Sequence, residues 1–234
     1  MSLIKLSKKK PATSSDSKSQ SVRLHAVYSP DGNEYRGEWK DKKKHGKGIQ
    51  VFKKSGAIYD GEWEHGKPDG FGTYSVLLPG TKQHVIKYRG LWTKGKKHGN
   101  GTFYYDNSSF YEGEWNENNR SGWGEMHYES GDIYEGEWEN DKRHGQGALQ
   151  FVDGNWYEGF WRDGKKNGAG KFYHSDKGQL YEGVWEDGNA KCGTMSDFKR
   201  DEARTPTKHP IPELHLVDGE MVLREAQSPY LDQC

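Results

Sequence analysis

A chain of 234 residues with 31% hydrophobic and 30% charged residues, yet 9 Trp and 14 Tyr, has too few aliphatics for an ordinary packed globule and too many aromatics for a disordered one. Its 35 basic and 35 acidic residues cancel, which excludes a global field drawing it to nucleic acid or membrane. Cys192 and Cys234 lie far apart without CxxC spacing, which argues against a disulfide framework or zinc site and fits a reducing compartment. No apolar run approaches a membrane span or signal sequence, so the expectation is a soluble cytoplasmic protein.

Residues 1–22 are Lys/Ser-rich and aperiodic, and read as a disordered segment. Residues 23–198 carry a repeat. Tyr-x-Gly-x-Trp occurs seven times, beginning at Tyr35, Tyr59, Tyr88, Tyr111, Tyr134, Tyr157 and Tyr181, at spacings of 24, 29, 23, 23, 23 and 24. In six copies a Gly-x-Gly begins eleven residues after the Tyr, from Gly46/Gly48 to Gly168/Gly170. The long interval holds an insertion around Leu77-Leu78-Pro79-Gly80. Alternation of Tyr, Gly and Trp with charged residues is the period of a strand with unlike faces. Each unit therefore predicts a hairpin: a strand, a polar loop such as Lys40 to His45, and a second strand opening on Gly-x-Gly. About fourteen such strands, ~4.8 Å apart, give an all-β, elongated, single-layer twisted antiparallel sheet spanning roughly 65 Å. The seventh copy, with Cys192 and Thr194 at the expected glycine positions, reads as a degenerate cap. Residues 199–234 form a tail in which Pro206, Pro210 and Pro212 predict extended chain and Glu220–Ala226 a short helical stretch.

Parity assigns the faces. Gln50, Tyr74, Phe103, Met126, Leu149 and Phe172, with Phe52, Val76, Tyr105, Tyr128, Phe151 and His174, share the parity of the glycines and join the Tyr and Trp anchors on an aromatic face. Glycine between the anchors lets rings lie over the backbone and the strand bend. The opposite face carries Glu38, Glu62, Glu114, Glu137 and Glu158, with Arg36 and Arg89.

Groups that suggest catalysis or metal binding repeat with the fold and are explained by it. His45, His98 and His144 belong to alternate repeats, so roughly 20 Å separates successive members, far beyond zinc coordination. Lys165-Lys166-Asn167-Gly168-Ala169-Gly170-Lys171 approaches a phosphate loop, but Phe172 stands at the Ser/Thr position and no βα unit surrounds it. Carboxylate pairs such as Glu112 and Glu114 recur at the repeat period. The reading is no enzyme, no metal and no cofactor.

Tyr-Glu-Gly-Glu-Trp followed by Gly-x-Gly resembles the MORN repeat, over residues 35 to about 198. In the tail, Ala190-Lys191-Cys192-Gly193-Thr194-Met195 and Pro210-Ile211-Pro212-Glu213 are similar to the C-terminal segment of an animal member of that family. The resemblance implies an elongated sheet used for protein assembly, and placement in cilia, sperm flagella or male germ cells, including acrosomal structures and spermatogenesis.

Because a single sheet has no second layer, part of the aromatic face is expected to meet a protein partner, a helix or an extended peptide. The residues expected to carry it are Tyr88, Trp92, Phe103, Tyr105, Tyr111, Trp115, Met126, Tyr128, Tyr134, Trp138 and Phe151. Trp123, inside a Gly-x-Gly, and Trp156, just before Tyr157, exceed the needs of the repeat, and the parity of Trp123 points it to the other face. A second reading is a peripheral tether to anionic lipid or an acidic partner through Lys42, Lys43, Lys44, Lys96, Lys97, Lys142, Arg143, Lys165 and Lys166, taken as loop residues along one edge. A third is a homodimer or larger homo-oligomer through the open sheet ends.

Overall fold

The computed structural model describes residues 26–212; the N-terminal segment 1–22, the 220–226 helical stretch and Cys234 lie outside them. Fifteen strands follow in order: β1 Val27–Tyr28, β2 Glu34–Lys40, β3 Lys43–Val51, β4 Ile58–Glu64, β5 Lys67–Leu77, β6 His84–Thr93, β7 Lys96–Tyr104, β8 Phe110–Asn116, β9 Asn119–His127, β10 Ile133–Glu139, β11 Lys142–Gln150, β12 Trp156–Arg162, β13 Lys165–His174, β14 Gln179–Glu186 and β15 Asn189–Asp197. They form one antiparallel sheet in sequence order, and β1 and β15 do not meet. The all-β single layer expected from period and parity is the fold observed.

The hairpin loops differ from expectation. Asn140 and Asp141 (φ 49° and 66°), and Asp163 and Gly164 (φ 50° and 84°), are two-residue turns with both centres left-handed. Such turns match the twist of the flanking strands and favour Asn, Asp and Gly. Lys43, Lys44, Lys96, Lys97, Lys142, Arg143, Lys165 and Lys166 are therefore strand residues, and alternation sends them to opposite faces. Only Lys42 belongs to a turn.

Each hairpin also bends. In the fifth repeat Gly136 faces Gly147, but Glu137 faces His144, a bulge in which Gly145 takes φ 53°. The bend folds Tyr134 over both glycines of its own repeat. A Cβ on Gly147 would stand 2.3 Å from the Tyr134 hydroxyl, so only glycine admits the ring. The hydroxyl donates to the Glu137 carbonyl at 3.0 Å.

The seventh repeat is not degenerate in its central contact. Its bulge is shorter, with Val184 opposite Cys192 and Trp185 opposite Ala190, which slides Gly193 opposite Gly183. The lone glycine thus fills the place that counting assigns to Thr194. The tail also departs from a purely extended reading. After a 3₁₀ turn at Arg200–Glu202, the Thr205 amide donates to the Asp176 carbonyl at 2.8 Å and the Ile211 amide to the Asp197 carboxylate at 2.9 Å.

Candidate functional site: the two faces of the sheet

The aromatic face is a column of alternating rings. From the second repeat on, the Trp of each Tyr-x-Gly-x-Trp stands edge-to-face against the Tyr of its own repeat and the Tyr of the one before: Trp138 is 5.2 Å from Tyr134 and 5.3 Å from Tyr111. Its indole Nε1 donates back to the Gly124 carbonyl at 3.1 Å, and Trp63, Trp115 and Trp161 donate likewise to Gly48, Gly101 and Gly147. Five residues after Trp39, Trp92, Trp115, Trp138 and Trp161 stands a cation that lies over the Trp of the following repeat, whereas Pro68 takes that place after Trp63. Lys97 is 3.6 Å from Trp115, Arg120 4.2 Å from Trp138 and Arg143 4.1 Å from Trp161; Lys44 and Lys166 do the same at Trp63 and Trp185.

The anchors pack on one another, which leaves little of the aromatic face open to the partner expected on part of it. Tyr88, Tyr111, Trp115, Met126, Tyr134 and Trp138 are buried, because the bend, the neighbouring rings and the cations cover them without a second layer. Trp92, Phe103, Tyr128 and Phe151 are partly buried against that core. Tyr105, 40% exposed, borders a recess of about 340 Å³ with Lys97, Trp115 and Asp141. Burial pushes the phenols upward, Tyr157 to about 12, so their hydroxyls remain donors at any physiological pH.

The basic residues divide in two. Lys44, Lys97, Arg143 and Lys166 lie on rings. Lys96, Lys142 and Lys165 pair with Glu117, Asp163 and Asp187 of the following hairpin turn. Lys42 and Lys43 are exposed. Burial holds the Lys97 and Lys166 ammonium groups down at about 8 from an ordinary 10.5. Between those values the folded chain has released protons that the unfolded chain still binds, so this contribution to stability rises with pH from about 8 to about 10.5. Lysine Cε resonances of Lys97 and Lys166 followed by NMR are expected to titrate with midpoints near 8; midpoints at the ordinary value would contradict the burial.

The outer face is less uniformly charged than parity alone indicates. The Glu114 carboxylate accepts the Trp123 amide at 3.1 Å, and Glu137 the Gln146 amide at 2.9 Å; Glu38 and Glu62 cap Lys47 and Phe71 in the same way. These acids hold the bulge. In the other repeats Leu91, Phe160 and Val184 stand at that place and project outward, exposed. Sequence reasoning missed them, although the signal is visible as a break of Glu in Tyr-Arg-Gly-Leu-Trp, Tyr-Glu-Gly-Phe-Trp and Tyr-Glu-Gly-Val-Trp. Trp123 lies on this face as its parity indicates, 50% exposed, and Phe160 is 43% exposed. Both line an open groove of about 590 Å³. Trp156, also on this face, is tilted against Tyr173 at 5.8 Å, and Phe198, just after β15, covers Tyr173 edge-on at 5.4 Å. Among the described residues no helix is long and apolar enough to cross a membrane.

A model of the MORN repeat matches residues 35–56, 59–75, 88–110, 111–133, 134–156 and 157–179. The chain is similar to MORN repeat-containing protein 3 of Xenopus laevis, 59% identical over 215 residues that span 92% of this chain and 90% of that protein. It is also similar to MORN repeat-containing protein 3 of Homo sapiens, 53% identical over 57 residues, 24% of each chain, and of Mus musculus, 52% identical over 57 residues, again 24% of each. Apart from its first residue, Gln179, the seventh hairpin of β14 and β15 lies beyond the residues that the repeat model matches, although it shares their Gly–Gly contact.

Proposed function

The chain belongs to the MORN-repeat family, and from that premise we propose that it is a non-enzymatic scaffold holding protein partners against the outer face of its sheet. The observation that carries this reading is the exposure of Trp123 and Phe160. Five other tryptophans are buried in the column, whereas these two rings border a groove and have no part in it. Large exposed rings bordering a concave surface are the usual anchors of protein interfaces. The aromatic face, where sequence reasoning places the partner, has its anchors committed to the core. The lipid-tether reading has little support in the basic residues, most of which are occupied by rings or carboxylates. A contact between copies would use β15, whose outer edge has no paired strand among the described residues.

Placement in cilia, sperm flagella or acrosomal and other male germ-cell assemblies is part of the proposal and is supported by the family resemblance. Proximity labelling in ciliated or male germ cells tests both parts, comparing the natural chain with a Trp123→Ala/Phe160→Ala variant of unchanged melting temperature. The expected result is a discrete set of ciliary or germ-cell partners whose labelling falls at least tenfold in the variant. Identical labelling by both chains would remove the outer face from the function.

A further inference from the structure

The outer face of repeats three to six carries a line of side chains set by strand register. Glu112 of β8 lies directly opposite Glu125 of β9, and Glu125 directly opposite Glu135 of β10. Ala148 of β11 follows, then Glu158, Lys171 and Glu182. Like charges facing each other across adjacent strands destabilise a sheet. Here three carboxylates stand in consecutive strands ~4.8 Å apart. His127 pairs with Glu125, and the one lysine of the line, Lys171, pairs with Glu182. Among the described residues Glu112, Glu135 and Glu158 have no ion-pair partner. The sheet carries a repulsive arrangement that the fold does not use, since the carboxylates that cap the bulges are Glu114 and Glu137.

Alongside this line runs an apolar one. Trp123 sits opposite Glu137, one residue from the glycine that separates it from Glu125, and Phe160 sits opposite Gln146. Trp123, Glu135, Ala148, Glu158, Phe160 and Lys171 border the same groove. Its lining is largely aromatic, methyl and glycine, with the carboxylates of Glu135, Glu158 and Glu182 and one ammonium, that of Lys171, which is paired with Glu182.

We propose that this groove receives a basic, extended or helical segment of a protein partner, with an arginine stacked on the Trp123 indole and further cationic side chains meeting Glu135 and Glu158 in the groove and Glu125 beside it, opposite Glu135. The proposal rests on the scaffold reading and adds the chemistry of what is held. A guanidinium is planar, lies flat on an indole and pairs with carboxylates through two parallel N–H groups, which suits a ring bordered by acids. The same carboxylates repel phosphate, so nucleic acid and anionic lipid headgroups do not fit this face.

The test is fluorescence anisotropy with the full chain and a labelled twelve-residue peptide containing four arginines and two leucines, against a second peptide with glutamate in place of each arginine. The arginine peptide is expected to bind, to weaken at least tenfold with Glu125→Gln/Glu135→Gln, and to weaken similarly with Trp123→Ala. A control of equal charge change on remote exposed acids, Glu129→Gln/Asp201→Asn, is expected to leave binding within twofold. Replacing facing carboxylates by amides relieves repulsion, so Glu125→Gln/Glu135→Gln should melt no lower than the natural chain, and loss of binding cannot then be loss of fold. Equal affinity for the two peptides, or equal weakening by the groove and remote variants, overturns the proposal. In that event, continued loss of cellular partners by Trp123→Ala/Phe160→Ala would leave the scaffold reading standing, whereas unchanged partners would remove both.

Discussion

Replacing Gly136 with alanine is expected to unfold the fifth repeat at a cost of about 4 kcal/mol or more, at the upper end for single substitutions. A Cβ there would stand 2.4 Å from the Gly147 Cα, 2.6 Å from the Gln146 carbonyl oxygen and 2.7 Å from the Tyr134 hydroxyl. None of these neighbours can retreat. The first two are backbone of a strand paired on both sides, and the hydroxyl is held by the Glu137 carbonyl at 3.0 Å. Gly164→Ala is the matched control. It has φ 84° and nothing within 4 Å of an added Cβ, so its cost is the left-handed conformation alone, about 1–2 kcal/mol. Urea denaturation of the two variants measures the difference, and equal costs would disprove the close approach of strand to strand and ring to backbone.

Trp138→Ala is expected to cost about 3–5 kcal/mol, the range for removal of a buried large aromatic. The substitution leaves Tyr111 and Tyr134 without the ring wedged between them, Arg120 without its platform and the Gly124 carbonyl without its donor. Trp123→Ala, by contrast, removes a half-exposed ring from the outer face, a change expected to stay within about 0.5 kcal/mol. Because each strand pairs only with its sequence neighbours and the ring contacts of Trp138 reach no further than the preceding repeat, the damage from Trp138→Ala should also be local. Hydrogen exchange is expected to rise first in β8 to β11 while the terminal hairpins keep their protection, as in a stack with nearest-neighbour coupling. A uniform rise across all strands would refute that coupling.

The strands and their parity were legible because the repeat states them seven times and a period of two leaves no other regular element. The turns were legible in principle. Asn140-Asp141, Asp163-Gly164 and Asp187-Gly188 are the residue pairs that left-handed hairpin turns require, and reading longer loops misplaced the lysines beside them by one element. The means by which the aromatic face is covered was not legible, since it depends on a bend that seats Tyr134 on Gly136 and Gly147 and on cations reaching from one repeat to the next. Phe160 shows the opposite case. Its position was written in the sequence as an interruption of Glu, but its meaning appears only once Glu114 and Glu137 are seen to cap the bulge and the outer groove is seen to pass over their phenylalanine counterpart.

The contacts of the ring column have a direction. Trp63, Trp115, Trp138 and Trp161 each donate to a glycine carbonyl of the preceding repeat, and each is covered by a cation of that same preceding repeat. Trp39, with no repeat before it, stays 44% exposed. A unit therefore takes what completes its tryptophan from chain already made, and waits for nothing downstream to do so. On a ribosome adding about 5–20 residues per second, a 23-residue unit emerges every 1–5 s or so, while a hairpin closes in roughly 1–10 μs. Such a chain can be laid down course by course from its amino end, each new hairpin docking on a finished edge as it leaves the exit tunnel.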